Sequence, residues 1–320
     1  MRADGRTILR GAIAVTIVVI VVRFVAAQWD AIRLSAAALR PSWVGLLLAS
    51  ACVFTGYAIL ISSWQLLLRR WNSPIGAVDA ARIWFVSSLG KYVPGKVWSI
   101  GAMAMLAKEA GASPLAATGS SIIMQLVNLA AGFVVVAVAG AGELFAAYPS
   151  LRIGAWITLA ATLIGLGFGP TLLIWAVRQG SRMLRQPMPA MPEISRPTLL
   201  VIFAANIAAW IAYGTGFGVF WSALLGHGGG ISTAALAVYT SSYLLGFLAL
   251  VVPGGLGVRE AALTALLVTL HLATPADAAL LAAASRIWLT VLEIFPGLAF
   301  LPGTSLHRRT SSAPPDGPVA

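Results

Sequence analysis

The chain has 320 residues, of which 59% are hydrophobic and 10% charged, and its mean hydropathy is +0.90. A soluble domain carries about 25% charged residues, so a soluble globular monomer is excluded and a membrane protein is implied. The formal net charge of +11 would point to nucleic acid in a soluble protein, but here the basic residues stand in short groups between apolar runs, where membrane topology accounts for them.

About 20 apolar residues at 1.5 Å rise cross a hydrocarbon core. The first such run, residues 8–28, follows a basic start. It exceeds the apolar region of a signal peptide and reads as an uncleaved helix, with Arg23 free to snorkel to the interface. The second run, 43–68, holds Cys52, the only cysteine, which can form no internal disulfide and reads as a small buried residue. Residues 71–114 contain two short apolar pieces, 83–89 and 97–107, around "GKYVPGKVW". Neither piece is long enough to span, and together they read as a re-entrant or interfacial hairpin. Further spans are expected over 115–139, 153–177, 198–225, 231–252 and 278–301, and a shorter segment, 256–272, reads as an eighth crossing at a steep angle.

The fold class is therefore all-α: a polytopic membrane helix bundle of about eight crossings, with one re-entrant hairpin and Pro/Gly-broken helices. Residues 1–302 form a single integral membrane domain, and 303–320 have the composition of a disordered tail. Eleven arginines (2, 6, 10, 69, 70, 178, 182, 185, 196, 308 and 309) fall on one side of this topology. The positive-inside rule puts that side, with both termini, in the cytoplasm of a cell inner-membrane protein. The Pro-rich stretch 185–197 reads as an ordered linker, and "GHGGG", 226–230, as a flexible outer turn.

An ionisable group near the bilayer centre costs at least about 2.5 to 3.5 kcal/mol, so those inside apolar segments mark candidate sites. They are Arg82, Lys91 and Lys96 around the hairpin, Arg259 and Glu260 after "VVPGGLG", and Arg286 and Glu293 in the last span. Pro253 blocks helix continuation, and Gly254, Gly255 and Gly257 permit backbone that other residues resist. A new helix beginning near Val258 then turns free N–H groups and a positive dipole end toward the break. Tyr92, Pro94 and Gly95, between the two lysines, repeat the device. Two such breaks suit an anionic group carried by an apolar tail, such as a lipid phosphate. Glu260 and Glu293 are expected to pair with Arg259 and Arg286, and residues 286 and 293 share a helix face.

Plainer readings stand beside these. Lys91 and Lys96 also fit inside-facing loop charges, and Arg259 with Glu260 fit structural ion pairs to other helices. "GLGFG", 165–169, and "GTGFG", 214–218, read as close-packing surfaces. Most tryptophans, including Trp29, Trp43, Trp71 and Trp98, read as interface anchors, while Trp84 and Trp288 are candidates to line the site. Ser87, Ser88, Ser241 and Ser242 read as interhelical hydrogen-bond partners. His227 reads as a solvated loop residue and His271 as interfacial. "ARIWFVSSLGKYVPGK" is similar to "SRIWLTVLEIFPG", 285–297, with "VVPGG" a third relative; an internal repeat and chance both account for so short a match. No nucleotide loop, metal cluster or general base is found, so no cofactor and no enzymatic activity are expected.

"GKYVPGKVW" followed by "VPGGLGVREAAL" resembles the membrane region of the lysylphosphatidylglycerol synthase family, the flippase-like integral membrane proteins, from about Ser42 to Pro302. The resemblance implies lipid translocation without the aminoacyl-transfer domain of the full-length synthases. It carries site roles to Lys91, Tyr92, Pro94, Gly95, Lys96, Pro253, Gly254, Gly255, Gly257, Arg259 and Glu260. The expected function is a lipid translocase that binds the anionic head of a phospholipid or polyprenyl-phosphate-linked lipid. The alternative is a non-transporting partner presenting a lipid to a separate glycosyltransferase or lipid synthase. Nucleic acid is not an expected partner.

Overall fold

The computed structural model describes residues 41–92, 97–140, 194–249 and 257–300, together with Gly255 and part of the stretch 142–171. The expected first span, the disordered tail and most of the linker at 185–197 lie outside the described residues. All regular structure among the described residues is helical. The elements are α1 (Trp43–Arg70), α2 (Ala77–Ser88), a 3-10 turn (Leu89–Tyr92), α3 (Val97–Glu109), α4 (Pro114–Ala139), α5 (Arg196–Leu225), α6 (Thr233–Leu248), α7 (Val258–Thr269) and α8 (Pro275–Ala299). The described positions between 152 and 171 are helical too, where a further span is expected. Of the named helices, α1, α4, α5 and α8 are long and apolar enough to cross a membrane, at 28, 26, 30 and 25 residues.

The helix starts follow from local chemistry. Ser42, Ser113, Ser195, Ser232 and Thr274 each accept a backbone N–H of the first turn through their side-chain oxygen. Proline stands in the first turn of α4, α5 and α8, where its missing N–H costs nothing. Arg69 and Arg70 close α1 against the negative end of its dipole, and Gly226 closes α5 in the left-handed conformation.

Small residues let the helices approach closely. Helix α1 runs antiparallel to α5: Gly45 lies against Ala223, Gly216 against Ala49, Cys52 and Val53, and Gly56 against Tyr213. Cys52 is thus a half-buried packing residue. Gly214 and Gly218 do the same for α6, lying against Leu236 and against the Gly230 carbonyl. The 214–218 glycines form a packing surface as expected. Gly165 and Gly167 face open space instead. The turn at 226–230 is tied down: Gly230 N–H donates to Gly218 O at 2.9 Å, and Gly228 and Gly229 lie against the Trp221 ring.

Side-chain contacts fix the directions of the long helices. Asn128 bonds Asn206, and Gly132 lies under Trp210, so α4 and α5 are parallel. Trp288 bonds Ser50 and Glu293 bonds Tyr57, so α8 is parallel to α1. It follows that α4 begins on the side where α1 ends, and that α8 begins on the side where α5 ends. The segments 71–113 and 226–274 therefore each leave and return on one side, and they do so on opposite sides of the bundle.

Each of these segments is a helical hairpin. In the first, α2 and α3 have 12 and 13 residues, about 18 to 20 Å at 1.5 Å per residue. Phe85 and Trp84 place α2 along the middle of α1, with ring centroids 5.3 Å from Tyr57 and 6.5 Å from Trp64. In the second, α6 and α7 have 16 and 12 residues and pack together, with Gly246 against Arg259 and Gly255 against the Gly246 backbone. The break ends α6 at Leu248 and starts α7 at Val258. The expected span 231–252 and the segment 256–272 read as an eighth crossing are thus the two arms of one hairpin, their helices about 24 and 18 Å long against a core of about 30 Å. The stretch 285–297 continues through α8, with Pro296 inside the helix.

Gly218→Ala, which drives a methyl group into the Gly230 carbonyl, should cost about 1 to 3 kcal/mol. Thermal unfolding in detergent checks this against Gly165→Ala, which enters open space and should leave stability unchanged or raise it by up to about 1 kcal/mol.

Candidate functional site

The two hairpins meet on one partly open cavity of about 350 Å³, within the size range of ligand sites. The first hairpin contributes Trp84, Ser87, Ser88, Ser99 and Met103, and the second Tyr239, Tyr243, Gly246, Phe247, Gly255 and Arg259. The long helices close it with Tyr57 and Trp64 from α1, Gln125 and Asn128 from α4, Trp210 and Tyr213 from α5, and Arg286, Thr290 and Glu293 from α8.

Arg259 occupies the second position of α7, where the break delivers it. Gly255 and Gly257 have φ of +66° and +82°, conformations that L side chains resist. The Gly257 N–H donates to Glu260 Oε2 at 2.7 Å, capping the new helix with its own carboxylate. Arg259 then turns back against Gly246, where a Cβ would come within 2.8 Å of the arginine Cβ. Its guanidinium carbon lies 5.5 Å from the Tyr239 ring centroid and 5.6 Å from that of Tyr243. Cation–π attraction to two rings holds the charge. Arg259 is 5% exposed, its Nε and Nη2 are buried without a hydrogen-bond partner, and no carboxylate pairs with it among the described residues.

The neighbouring carboxylates are engaged elsewhere. Glu260 Oε1 lies 3.6 Å from Arg286 Nη1, the pair being almost buried. Glu293, 9% exposed, accepts the Tyr57 hydroxyl at 2.8 Å. The expected pairing of Arg259 with an acid is therefore replaced. Successive residues of a helix point in different directions, so Glu260 reaches α8 while Arg259 faces the rings of α6.

Four of the candidate binding residues line the cavity: Gly255, Arg259, Arg286 and Glu293. Gly257 and Glu260 support it through the cap and the ion pair. Arg82 is half-buried on α2 and is not on the cavity wall. Pro94, Gly95, Lys96, Pro253 and Gly254 lie outside the described residues, as do the side chains of Lys91 and Tyr92. Trp84 lines the cavity as expected. Trp288 instead stacks on Phe220 at 4.5 Å and donates to Ser50. Trp71, read as an interface anchor, is 5% exposed and lies over Gly119. Ser87, Ser88 and Ser242 donate to carbonyls of their own helix instead of bridging helices.

Several wall residues escaped sequence reasoning: Tyr57, Gln125, Asn128, Asn206, Tyr239 and Tyr243. Asn128 Nδ2 donates to Asn206 Oδ1 at 2.9 Å, and Trp210 Nε1 donates to the Asn128 carbonyl at 2.9 Å. An amide near the middle of an apolar span was the available signal, since a buried amide needs partners.

Residues 8–297 match the family model described as the lysylphosphatidylglycerol synthase TM region. The chain belongs to this family. Neither the curated proteins nor the solved structures provided a match. The lysylphosphatidylglycerol synthase TM region and the apolar helices together make this a multi-pass membrane protein of lipid-related function.

The Tyr57–Glu293 hydrogen bond ties α1 to α8 beside the cavity. In a double-mutant cycle of Tyr57→Phe and Glu293→Gln, the coupling should be about 1.5 to 3 kcal/mol, as for a hydrogen bond to a charged group. Reversible unfolding in mixed micelles measures it; additive effects would mean that the bond does not form.

Proposed function

We propose that this protein is an integral membrane lipid translocase. It binds the anionic head group of a phospholipid or polyprenyl-phosphate-linked lipid in the central cavity and assists its transfer between leaflets, without catalysing a chemical change in it. The observation that carries this reading is Arg259: a cation that is 5% exposed, with open donors and no acid paired to it among the described residues, on the wall of a cavity in a membrane bundle. A buried charge lacking a protein counter-ion is stabilised by an anion that brings one. The cavity volume of about 350 Å³ accommodates a polar head and leaves acyl or prenyl tails outside. The two hairpins, entering from opposite sides, supply a polar path between leaflets in the manner of carriers built on broken helices.

In this reading the termini are cytoplasmic and the membrane is the cell inner membrane, so the α2–α3 hairpin opens from the cytoplasm and the α6–α7 hairpin from the other side. Membrane lipid is the direct partner. A separate glycosyltransferase or lipid synthase is the enzyme that would make or use it.

Reconstitution in vesicles with a tail-labelled anionic phospholipid and a membrane-impermeant quencher tests the reading. The protein should bring inner-leaflet label to the outer surface. Arg259→Gln should weaken binding and slow transfer about 10- to 100-fold, the worth of one charge-assisted hydrogen bond. Arg152→Gln, at an exposed position, should change both less than about twofold. Equal losses in the two variants would remove Arg259 from the site. Binding without transfer would replace translocation by presentation to a partner enzyme.

A further inference from the structure

We infer that the head group taken by this cavity is a phosphodiester bearing an uncharged polyol, of the glycerol or sugar kind, and that an ammonium-bearing aminoacyl head is selected against. The inference rests on the lipid-binding reading above and names the chemistry of the cargo within that site.

The rest of the cavity lining has its own hydrogen-bonding pattern. Trp84 is half-buried on α2, and its indole N–H makes no hydrogen bond among the described residues. Gln125 lies at the middle of α4, lines the cavity and also makes none there, so its amide presents two N–H donors and a carbonyl acceptor. Asn128 spends one N–H on Asn206, and no described donor reaches its Oδ1. The Tyr213 hydroxyl, also in the lining, is without a hydrogen-bond partner among the described residues. A hydrophobic span gains nothing from such groups unless something fills their bonds.

Complementarity decides the ligand class. A hydroxyl is donor and acceptor at once, whereas an ammonium has three donors and no acceptor. An ammonium in place of the polyol would leave the Trp84 N–H unmet and add a positive charge to a cavity lined by Arg259 and Arg286. The carboxylates that would receive it are already engaged, Glu260 by the α7 cap and Arg286, and Glu293 by Tyr57. The Tyr239 and Tyr243 faces that would attract a cation already hold Arg259. A polyol satisfies the mixed amide, indole and phenol wall, while its phosphate meets the guanidinium.

Binding to the full chain in lipid nanodiscs tests this with four ligands of matched tails: phosphatidic acid, phosphatidylglycerol, lysylphosphatidylglycerol and a glycosyl phosphopolyprenol. At least one of the two polyol ligands should bind about 10-fold or more tightly than phosphatidic acid and lysylphosphatidylglycerol, as expected for one or two extra hydrogen bonds. The tighter of the two identifies a glycerol or a sugar. Trp84→Phe and Gln125→Leu, checked for folding by thermal unfolding, should bring the polyol ligand down to the level of phosphatidic acid and leave phosphatidic acid unchanged. Equal binding of all four would show that the cavity reads phosphate alone, overturning this inference while sparing the proposed function. Tightest binding of the lysyl lipid would overturn it in favour of an aromatic cation site. Binding of none would take the proposed function with it.

Discussion

A guanidinium buried between two tyrosine rings, with no carboxylate joined to it among the described residues, is the group on which the central architecture turns. Removing such a charge from water costs several kcal/mol even after relaxation, and two cation–π contacts return only part of that. The bundle supports it by geometry. Gly257 and Glu260 start α7 at the one place where its second residue meets the rings of α6, and Gly246 lets the Arg259 backbone come close. An alanine at 246 would fill that space, and an ordinary residue at 257 would strain the start of α7.

Around this point the helices are arranged with opposed hairpins. Long helices α1, α4, α5 and α8 form a frame whose close approaches rely on glycine and alanine, because lipid tails give no hydrophobic drive for helix association and packing has to supply it. The hairpins fill the frame from either side. Their breaks leave backbone groups that hydrocarbon cannot satisfy, and such backbone is tolerated only where protein or a polar cavity surrounds it.

The carboxylates show how the same charges carry different work. Glu260 is a helix cap and a partner of Arg286, and Glu293 is a hydrogen-bond acceptor that joins α1 to α8. Both hold elements together, while Arg259 keeps donors that no group fills among the described residues. Adjacent residues in the motif "VRE" thus divide into a cavity-facing cation and a structural anion, a consequence of the helical turn between them.

The sequence by itself determined the membrane class, the spans over 43–68, 115–139, 198–225 and 278–301, the hairpin around "GKYVPGKVW" and the helix start at Val258, because these depend on run length and on Pro, Gly and Ser chemistry close along the chain. Arg286 and Glu293 stood out too, since charge inside an apolar run is visible without coordinates. Only the tertiary structure decided which charge pairs with which, that 256–272 returns along its own hairpin, that Arg82 stays off the cavity wall, and that Gln125, Asn128, Asn206 and four tyrosines help to build it. These outcomes depend on helix directions and on side chains meeting from distant segments. Hydropathy is blind to both, since an asparagine or tyrosine in an apolar run has the same composition whether it faces a neighbour, a cavity or lipid.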